Sequence, residues 1–195
     1  MIGMNSTYIA YPWGRWIKWG VIALVIIIVA SLFGGTYNSL VQANQRVKST
    51  WSQVENAMQR RSDAIINMVE TVKGEVQLEK DIIDKITAAR SVVMDKNASK
   101  ADKINADSQM RSIVVLMEDN PEIKAHESFE NLQVLIEGAE NRVYRARMDY
   151  NEAVEAYNTK VTRFPGSIFA RLMGFKEMDY FEASPDAKET PKVKF

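Results

Sequence analysis

Residues 19–35 read WGVIALVIIIVASLFGG, a run of seventeen residues without a charged side chain. At about 1.5 Å per residue, this run together with Ile17, Thr36 and Tyr37 is long enough to cross the hydrocarbon core of a bilayer. A helix in a soluble core carries a polar face, and this run has none. We therefore predict a transmembrane helix over residues 19–37, and a buried core helix is the alternative. The predicted membrane anchor consists of Trp19, Val21, Ile22, Leu24, Val25, Ile26, Ile27, Ile28, Leu32 and Phe33.

The composition of the chain excludes several classes of function. Its 25 basic and 25 acidic residues balance, so no basic field attracts nucleic acid. The absence of cysteine excludes disulfides, thiolate nucleophiles, zinc fingers and iron–sulfur ligation. About 160 residues follow the apolar run, enough for one domain with a sizeable core. We therefore expect one anchor, one further domain and no nucleic-acid partner.

The residues that flank the apolar run indicate whether it is a cleaved signal peptide and which end of it lies in the cytoplasm. Arg15 and Lys18 precede the run as the basic region of a signal peptide would, but the run is longer than the usual apolar region of such a peptide. We therefore predict that residues 1–18 are the flank of a retained anchor. The positive charges near its N-terminal edge favour a cytoplasmic N-terminus. The helical domain is then expected outside the cytoplasm, in a periplasm if the source has one.

Four further segments have the apolar periodicity of helices, at residues 38–73, 75–95, 101–118 and 121–164. No helix breaker separates the first segment from the anchor, so we expect one continuous helix. Gly74 favours a turn after this helix, and a helix that continues through Gly74 is the alternative. The predicted core positions of the first and fourth segments are Val47, Trp51, Val54, Met58, Ile65, Met68, Val72, Phe129, Leu132, Ile136, Ala139, Val143, Ala146, Tyr150, Ala153, Tyr157, Val161 and Phe164. Those of the second and third are Leu78, Ile82, Ile86, Ala89, Val93, Met110, Ile113, Val114 and Met117.

Two long helices that enclose two short ones are typical of an antiparallel up-and-down four-helix bundle. In such a bundle the fourth helix returns to the membrane. There, residues 165–182 are predicted to form a short helix capped by Ser167, followed by an aromatic segment. This helix either lies among lipid headgroups through Arg171 and Lys176 or closes the bottom of the bundle. The polar, aperiodic residues 183–195 are predicted to be a flexible tail.

Several blocks of this chain stand in an order that resembles the LemA family. They are WSQVE at residues 51–55, QRRSDAIIN at 59–67, TVKG at 71–74, GAENRVYRARMDYNEAVEAYN at 138–158, RFP at 163–165, GFKEMDYFEA at 174–183 and PKVKF at 191–195. The resemblance implies an N-terminal membrane anchor, an antiparallel four-helix bundle and no established enzymatic activity. One branch of the family is associated with building magnetosome membranes. We therefore expect a single-pass protein of a bacterial inner membrane.

The residue inventory argues against an enzyme. A di-iron bundle needs two Glu-x-x-His units, and the chain has one histidine, His126. A nucleophilic triad fails for the same reason, and no glycine-rich phosphate loop is present. We therefore predict no catalytic residue, no cofactor and no metal site.

Two groups of residues remain as candidates for binding. The first is an interhelical polar cluster of Arg60, Arg61, Asp63, Asn67, Glu140, Asn141 and Arg145. Its simplest role is to pair charges between helices and fix their register, and ligand binding is the alternative. The second candidate is the end of the tail, Val193, Lys194 and Phe195, which resembles a ligand for a carboxylate-binding groove of the PDZ type. The alternative for this tail is an unbound end.

The sequence thus predicts a non-enzymatic helical scaffold, anchored in the lipid bilayer by one span. Anchoring in a plane raises the effective concentration of the chains, so weak lateral contacts suffice for a homo-oligomer that shapes the membrane or recruits a partner. The competing hypothesis is a regulatory adaptor that presents its bundle tip or its tail to another membrane protein, such as a protease.

Overall fold

The computed structural model describes residues 13–73, 80–119, 121 and 127–182. Five helices account for most of these residues, and no β-strand occurs among them. The helices are α1 (Trp13–Lys73), α2 (Lys80–Met94), α3 (Lys100–Glu118), α4 (Glu127–Thr162) and α5 (Gly166–Met173). The prediction of an all-α chain is therefore confirmed.

Helix α1 is one unbroken helix of 61 residues. At 1.5 Å per residue it is about 92 Å long, and it passes through Gly34 and Gly35 without interruption. Within the part of the chain that the structure describes, α1 is the one helix long and apolar enough to cross a membrane. No residue in the most apolar stretch of α1 is buried by the rest of the protein. Burial begins only at Leu40, so the helix divides into an exposed apolar half and a half that enters the core.

Helix α1 packs mainly against α4. Along α1, Ser39 contacts Lys160, Trp51 contacts Tyr150, and Arg61 contacts Glu140. The predicted core positions that are buried on these two helices are Val47, Trp51, Val54, Met58, Ile65, Met68, Ile136, Ala139, Val143, Ala146, Tyr150, Ala153, Tyr157 and Val161. The side chains of Val72, Phe129 and Leu132 lie outside the described residues.

The prediction that Phe164 belongs to the core was wrong, since this side chain is 75% exposed. Helix α4 ends at Thr162, and Phe164 lies in the turn that leads to α5. Proline at position 165 disfavours the helical conformation of the preceding residue, so the periodic pattern ends before it reaches Phe164.

Helices α2 and α3 pack on each other and on α1. Their buried apolar residues are Ile86, Ala89, Val93, Ala106, Met110, Ile113, Val114 and Met117, which include seven of the predicted positions. Ile82 is half-buried, and Leu78 lies outside the described residues. A capping box starts α3, because Ser99 Oγ accepts a hydrogen bond from the Asp102 amide at 3.1 Å and Asp102 accepts one from the Ser99 amide.

Helix α5 begins at Gly166, not after a Ser167 cap. The residue before the helix is Pro165, which supplies no side-chain hydrogen bond, and the Ser167 amide donates to the Arg163 carbonyl at 2.9 Å. Glycine is required at position 166, because a Cβ there would lie 2.3 Å from the carbonyl oxygen of Lys160. The tight packing of α5 under the end of α4 therefore depends on this glycine.

The residues after α5 form an extended segment, residues 174–182, which we call the C-terminal strap. Gly174 ends α5 in the left-handed conformation, with φ of 76°. The Asn158 amide group donates to the Met178 carbonyl and accepts from the Met178 amide, both at 2.9 Å. Asn151 holds the backbone of Phe181 in the same two-bond manner. The strap is thereby fastened along α4.

Candidate functional site

The most deeply buried charged group is Arg61 of α1, whose side chain is fully shielded from solvent. Its Nη1 donates to Glu140 Oε1 of α4 at 2.6 Å, and its Nη2 donates to the backbone carbonyl of Asp107 of α3 at 2.8 Å. Nη2 also forms an ion pair with the Asp107 carboxylate. One guanidinium therefore joins three helices.

Asp107 and Glu140 each bind a second arginine. Arg147 Nη2 donates to Asp107 Oδ2 at 2.6 Å, and Arg111 Nη2 donates to Glu140 Oε2 at 2.7 Å. We call these five residues the buried charge network. It contains three positive and two negative side chains and becomes more exposed toward Arg111, which reaches solvent. The excess positive charge thus lies at the edge of the network.

Burial opposes ionisation inside this network. It raises the pKa of the Asp107 carboxyl, although the positive charges of Arg61 and Arg147 act in the opposite direction. Burial also lowers the pKa of the Arg147 guanidinium, against the effect of Asp107. The network is therefore a set of charges that stabilise one another in place of water, and removal of one member takes a partner from each charge that it contacts.

The interhelical polar cluster predicted from the sequence is only partly assembled. Arg61 and Glu140 are in contact, whereas Asp63 binds Arg90 of α2 at 2.9 Å. The remaining predicted members, Arg60, Asn67, Asn141 and Arg145, are exposed and lie outside the buried charge network.

Asp107, Arg147 and Arg111 were not among the predicted residues. The sequence does carry a signal for Asp107, because it lies on the stripe of Lys103, Met110, Val114 and Met117 that faces the core. A charged residue on a core stripe needs a charge of opposite sign on a facing helix. Arg61 interrupts the core stripe of α1 in the same way. The opposite charges of Arg61 and Asp107 on two core stripes are therefore a sequence signal that these residues pair.

A second ion pair of this kind joins Lys103 to Glu55. Lys103 Nζ of α3 donates to Glu55 Oε1 of α1 at 2.6 Å, and the side chain of Lys103 is 7% exposed. The pairs Arg61–Asp107 and Lys103–Glu55 both join α1 to α3, about one helical turn apart along α3. Because two ion pairs at different heights cannot both form if α1 slides along α3, this arrangement fixes the register between the two helices.

The chemistry available at these charges is limited. Within the described residues no group of three His, Asp or Glu side chains gathers in a geometry that would hold a metal ion. His126 and the tail residues Val193, Lys194 and Phe195 lie outside the described residues. The buried charge network is closed by protein on most sides, so we assign it to packing and not to ligand binding.

The base of the molecule has the features of a surface that meets a membrane. Every described side chain from residue 16 to residue 35 is exposed, and Phe33 packs edge-on against Phe169 of α5 with ring centres 5.1 Å apart. Helix α5 buries Ala170 against the rest of the protein but exposes Ile168 and Leu172. Its outer apolar face therefore continues the exposed apolar surface of α1.

The strap brings an aromatic cluster to the side of the domain. Phe181 and Tyr150 lie 6.4 and 5.4 Å from the Trp51 ring, centre to centre, and Arg147 lies 4.4 Å above the Phe181 ring. The sequence signal for this packing is the dipeptide Tyr-Asn at residues 150–151, repeated at 157–158. A spacing of seven residues places both pairs on the same face of α4, where each asparagine holds the strap.

Comparison with known proteins identifies the family. The sequence model of one protein family, the LemA family, matches residues 50–195. Protein LemA of Metamycoplasma hominis is 24% identical over 165 residues, which cover 83% of this chain and 75% of that protein. Magnetosome protein MamQ 2 of Paramagnetospirillum magneticum is 23% identical over 199 residues, with coverage of 87% and 72%. Magnetosome protein MamQ of Magnetospirillum gryphiswaldense is 22% identical over 203 residues, with coverage of 89% and 73%. The family resemblance in the sequence is therefore confirmed, and the chain belongs to the LemA family.

Proposed function

We propose that this protein is a non-enzymatic membrane scaffold, anchored by one span and built as a rigid helical post. The observation that carries this proposal is the continuity of α1. The same helix supplies the exposed, uncharged residues 19–35 and the buried core residues from Leu40 to Val69. A post of this kind transmits the position of its anchor to the whole domain, because a continuous helix has no hinge at the membrane surface.

Helices α1 to α4 form an antiparallel four-helix bundle in this proposal. Ser39 near the membrane end of the α1 core contacts Lys160, whereas Arg61 farther along α1 contacts the earlier residue Glu140 of α4. The two helices therefore run in opposite directions. The buried charge network, with contacts to α1, α3 and α4, supports a fixed register among these helices. The base of the bundle then stands on the membrane, and its tip lies beyond Lys73, the last residue of α1.

Lateral contact between posts is the proposed route to a homo-oligomer. Tyr144 and Met148, one turn apart on α4, are 62% and 55% exposed and offer a small apolar surface. Such a surface is too small to hold soluble proteins together, but confinement to a membrane plane raises the effective concentration. The similarity to two magnetosome proteins supports a role in organising a membrane.

The proposed location is a bacterial inner membrane, with the helical domain outside the cytoplasm. The basic residues Arg15 and Lys18 before the anchor support this orientation. A reporter that is active on only one side of the membrane, fused to the C-terminus, tests it. Activity on the cytoplasmic side would reverse the assignment.

The size of the full-length protein in mild detergent tests the scaffold. We expect a large, homogeneous particle of several chains, and we expect Tyr144→Lys combined with Met148→Glu to reduce its size. The matched control is Asn131→Lys combined with Asn141→Glu, which adds the same two charges at exposed α4 positions without removing an apolar residue. A monomer that co-purifies with one defined membrane protein would contradict the scaffold and would indicate a regulatory adaptor.

A further inference from the structure

An open cleft of about 660 Å³ lies where α1 leaves its apolar half and α4 ends. Gly35 and Ser39 of α1 line one wall, and Lys160 of α4 and Arg163, which follows the end of α4, line the other. Lys160 Nζ donates to Ser39 Oγ at 2.9 Å, which joins the two walls. Because residues 19–35 fill the proposed bilayer core, this cleft opens at the level of the lipid headgroups.

Charge is ordered along the cleft. Arg163 and Lys160 lie at its membrane end, whereas Glu155 and Glu152 line its other end. With a rise of 1.5 Å per residue, the Cα of Glu155 lies about 7.5 Å farther from the membrane than that of Lys160. None of the ion pairs found among the described residues includes Arg163, Glu155 or Glu152. These three exposed charges are therefore available to a ligand.

We propose that this cleft binds the headgroup of a phospholipid that carries a primary amine, of the phosphatidylethanolamine type; this inference rests on the membrane anchorage proposed above. The phosphate accepts charge-assisted hydrogen bonds from Lys160 and Arg163, and the ammonium group donates to Glu155. In such a lipid the phosphate is attached next to the acyl chains and the ammonium lies beyond it. The two charges of the headgroup thus follow the same order as the two ends of the cleft.

The apolar surroundings of the cleft select a lipid over a free phosphate ester. Phe164, Ile168 and Leu172 are 75%, 58% and 77% exposed on the membrane side, where acyl chains cover them. On the opposite wall, a Cβ built at Gly35 would meet no atom within 4 Å, so this residue leaves space beside α1. An acyl chain that passes Gly35 and α5 keeps the headgroup at Lys160 and Arg163.

Native mass spectrometry of the full-length protein released from nanodiscs tests this inference. The nanodiscs contain equal amounts of phosphatidylethanolamine, phosphatidylcholine and phosphatidylglycerol. We expect the wild-type chain to retain phosphatidylethanolamine about two- to fivefold more than phosphatidylglycerol, the range for an exposed ion pair. Glu155→Gln is expected to abolish this preference, and Arg163→Gln to lower the retention of all three lipids about two- to fivefold.

Two matched variants serve as controls. Glu137→Gln and Arg142→Gln remove the same types of charge from exposed α4 positions farther from the membrane, and we expect neither to change the lipid pattern. Gly35→Leu fills the space beside α1 and is expected to lower lipid retention in a chain that still enters the nanodisc. An unchanged retention in this variant would show that the lipid does not occupy the cleft.

The outcomes separate this inference from the proposed anchorage. Equal retention of the three lipids by the wild-type chain, or a preference that survives Glu155→Gln, overturns the inference. A preference for phosphatidylglycerol also overturns it, because the acidic end of the cleft then has no role. A chain that does not enter the nanodisc contradicts the membrane anchorage itself.

Discussion

Residues 16–35 and residues 40–69 belong to one helix, yet their side chains lie in opposite surroundings. In the first stretch every side chain is exposed, including Ile26 at 61%. In the second stretch Leu40, Val54 and Met58 are fully buried, and polar residues separate them. The more apolar half is thus the one that the protein does not cover. Apolar composition alone does not mark a protein core, and the difference supports the proposed membrane anchor.

The charges of the two halves differ in the same sense. Residues 19–35 contain no charged residue, whereas the buried half contains Arg61 with its side chain fully shielded. A charge is tolerated in the second half because Asp107 and Glu140 on other helices pair with it. The exposed half lies outside the protein core that holds these partners. Four predictions use this contrast.

The largest effect is expected from Arg61→Met in the buried half. The substitution leaves Asp107 inside the protein without its main partner, so the free energy of unfolding should fall by about 3–5 kcal/mol. Denaturant unfolding of the full-length protein in detergent, followed by circular dichroism, measures it. Arg60→Met is the matched control on an exposed neighbouring position and should stay within about 0.5 kcal/mol of the wild type. Equal stability of the two variants would contradict the role of the network.

A charge in the other half should disturb insertion instead of folding. Ile26→Arg places an arginine near the centre of the anchor, where it costs about 2.5–3.5 kcal/mol of apparent insertion free energy. Extraction of membranes at alkaline pH should release a larger fraction of this variant than of the wild type, while its circular dichroism stays helical. Ile26→Leu is the control. Unchanged membrane retention of Ile26→Arg would contradict a transmembrane role of residues 19–35.

A double-mutant cycle sharpens the contrast between paired and unpaired charge. Asp107→Leu alone takes the carboxylate that Arg61 and Arg147 share, whereas its combination with Arg61→Met removes both partners of the Arg61–Asp107 ion pair. We expect a coupling free energy of up to about 3 kcal/mol between the two positions, in the direction of rescue. Denaturant titration of all four proteins measures it. Additive losses would show that Arg61 and Asp107 act independently.

The smallest effect is expected from pH, and only the buried half should show it. Burial raises the pKa of Asp107 above its ordinary value of 3.8. At pH values between 3.8 and the raised pKa, Asp107 is therefore protonated to a greater extent in the folded chain than in the unfolded chain. The contribution of this group to the free energy of unfolding is therefore complete below pH 3.8 and decreases as pH rises through the raised pKa. Asp107→Asn should lack this component when its stability is measured over the same pH range. A pH dependence identical to that of the wild type would contradict the shift.

The helices and most of the core were predictable from the sequence because burial on a helix follows its own period. Val54 and Met58 of α1, or Val143 and Tyr150 of α4, lie at spacings that only one face of a helix can satisfy. The cap at Ser99 follows from a local motif in the same way. These features depend on residues close together in the chain.

The partners of Arg61 were harder to predict because they depend on the register between helices. Glu140 was expected, but Asp107 is 46 residues away in sequence and becomes a partner only when α3 takes one rotation against α1. The strap has no helical period, so its contacts with Asn151 and Asn158 were not predicted. Long-range pairing of polar groups is therefore the part of this fold that single-sequence patterns leave open.

The proposed scaffold depends on α1 running as one rigid helix from the membrane into the core. The chain contains no cysteine, so spin labels can be attached at Ser31→Cys and Ser52→Cys without a background signal. Both positions are exposed, and 21 residues of helix separate their Cα atoms by about 32 Å. The measurement is the distribution of distances between the two labels by pulsed electron paramagnetic resonance in nanodiscs. A single narrow distribution near that distance is predicted, whereas a broad distribution or one centred at a much shorter distance would contradict a continuous post.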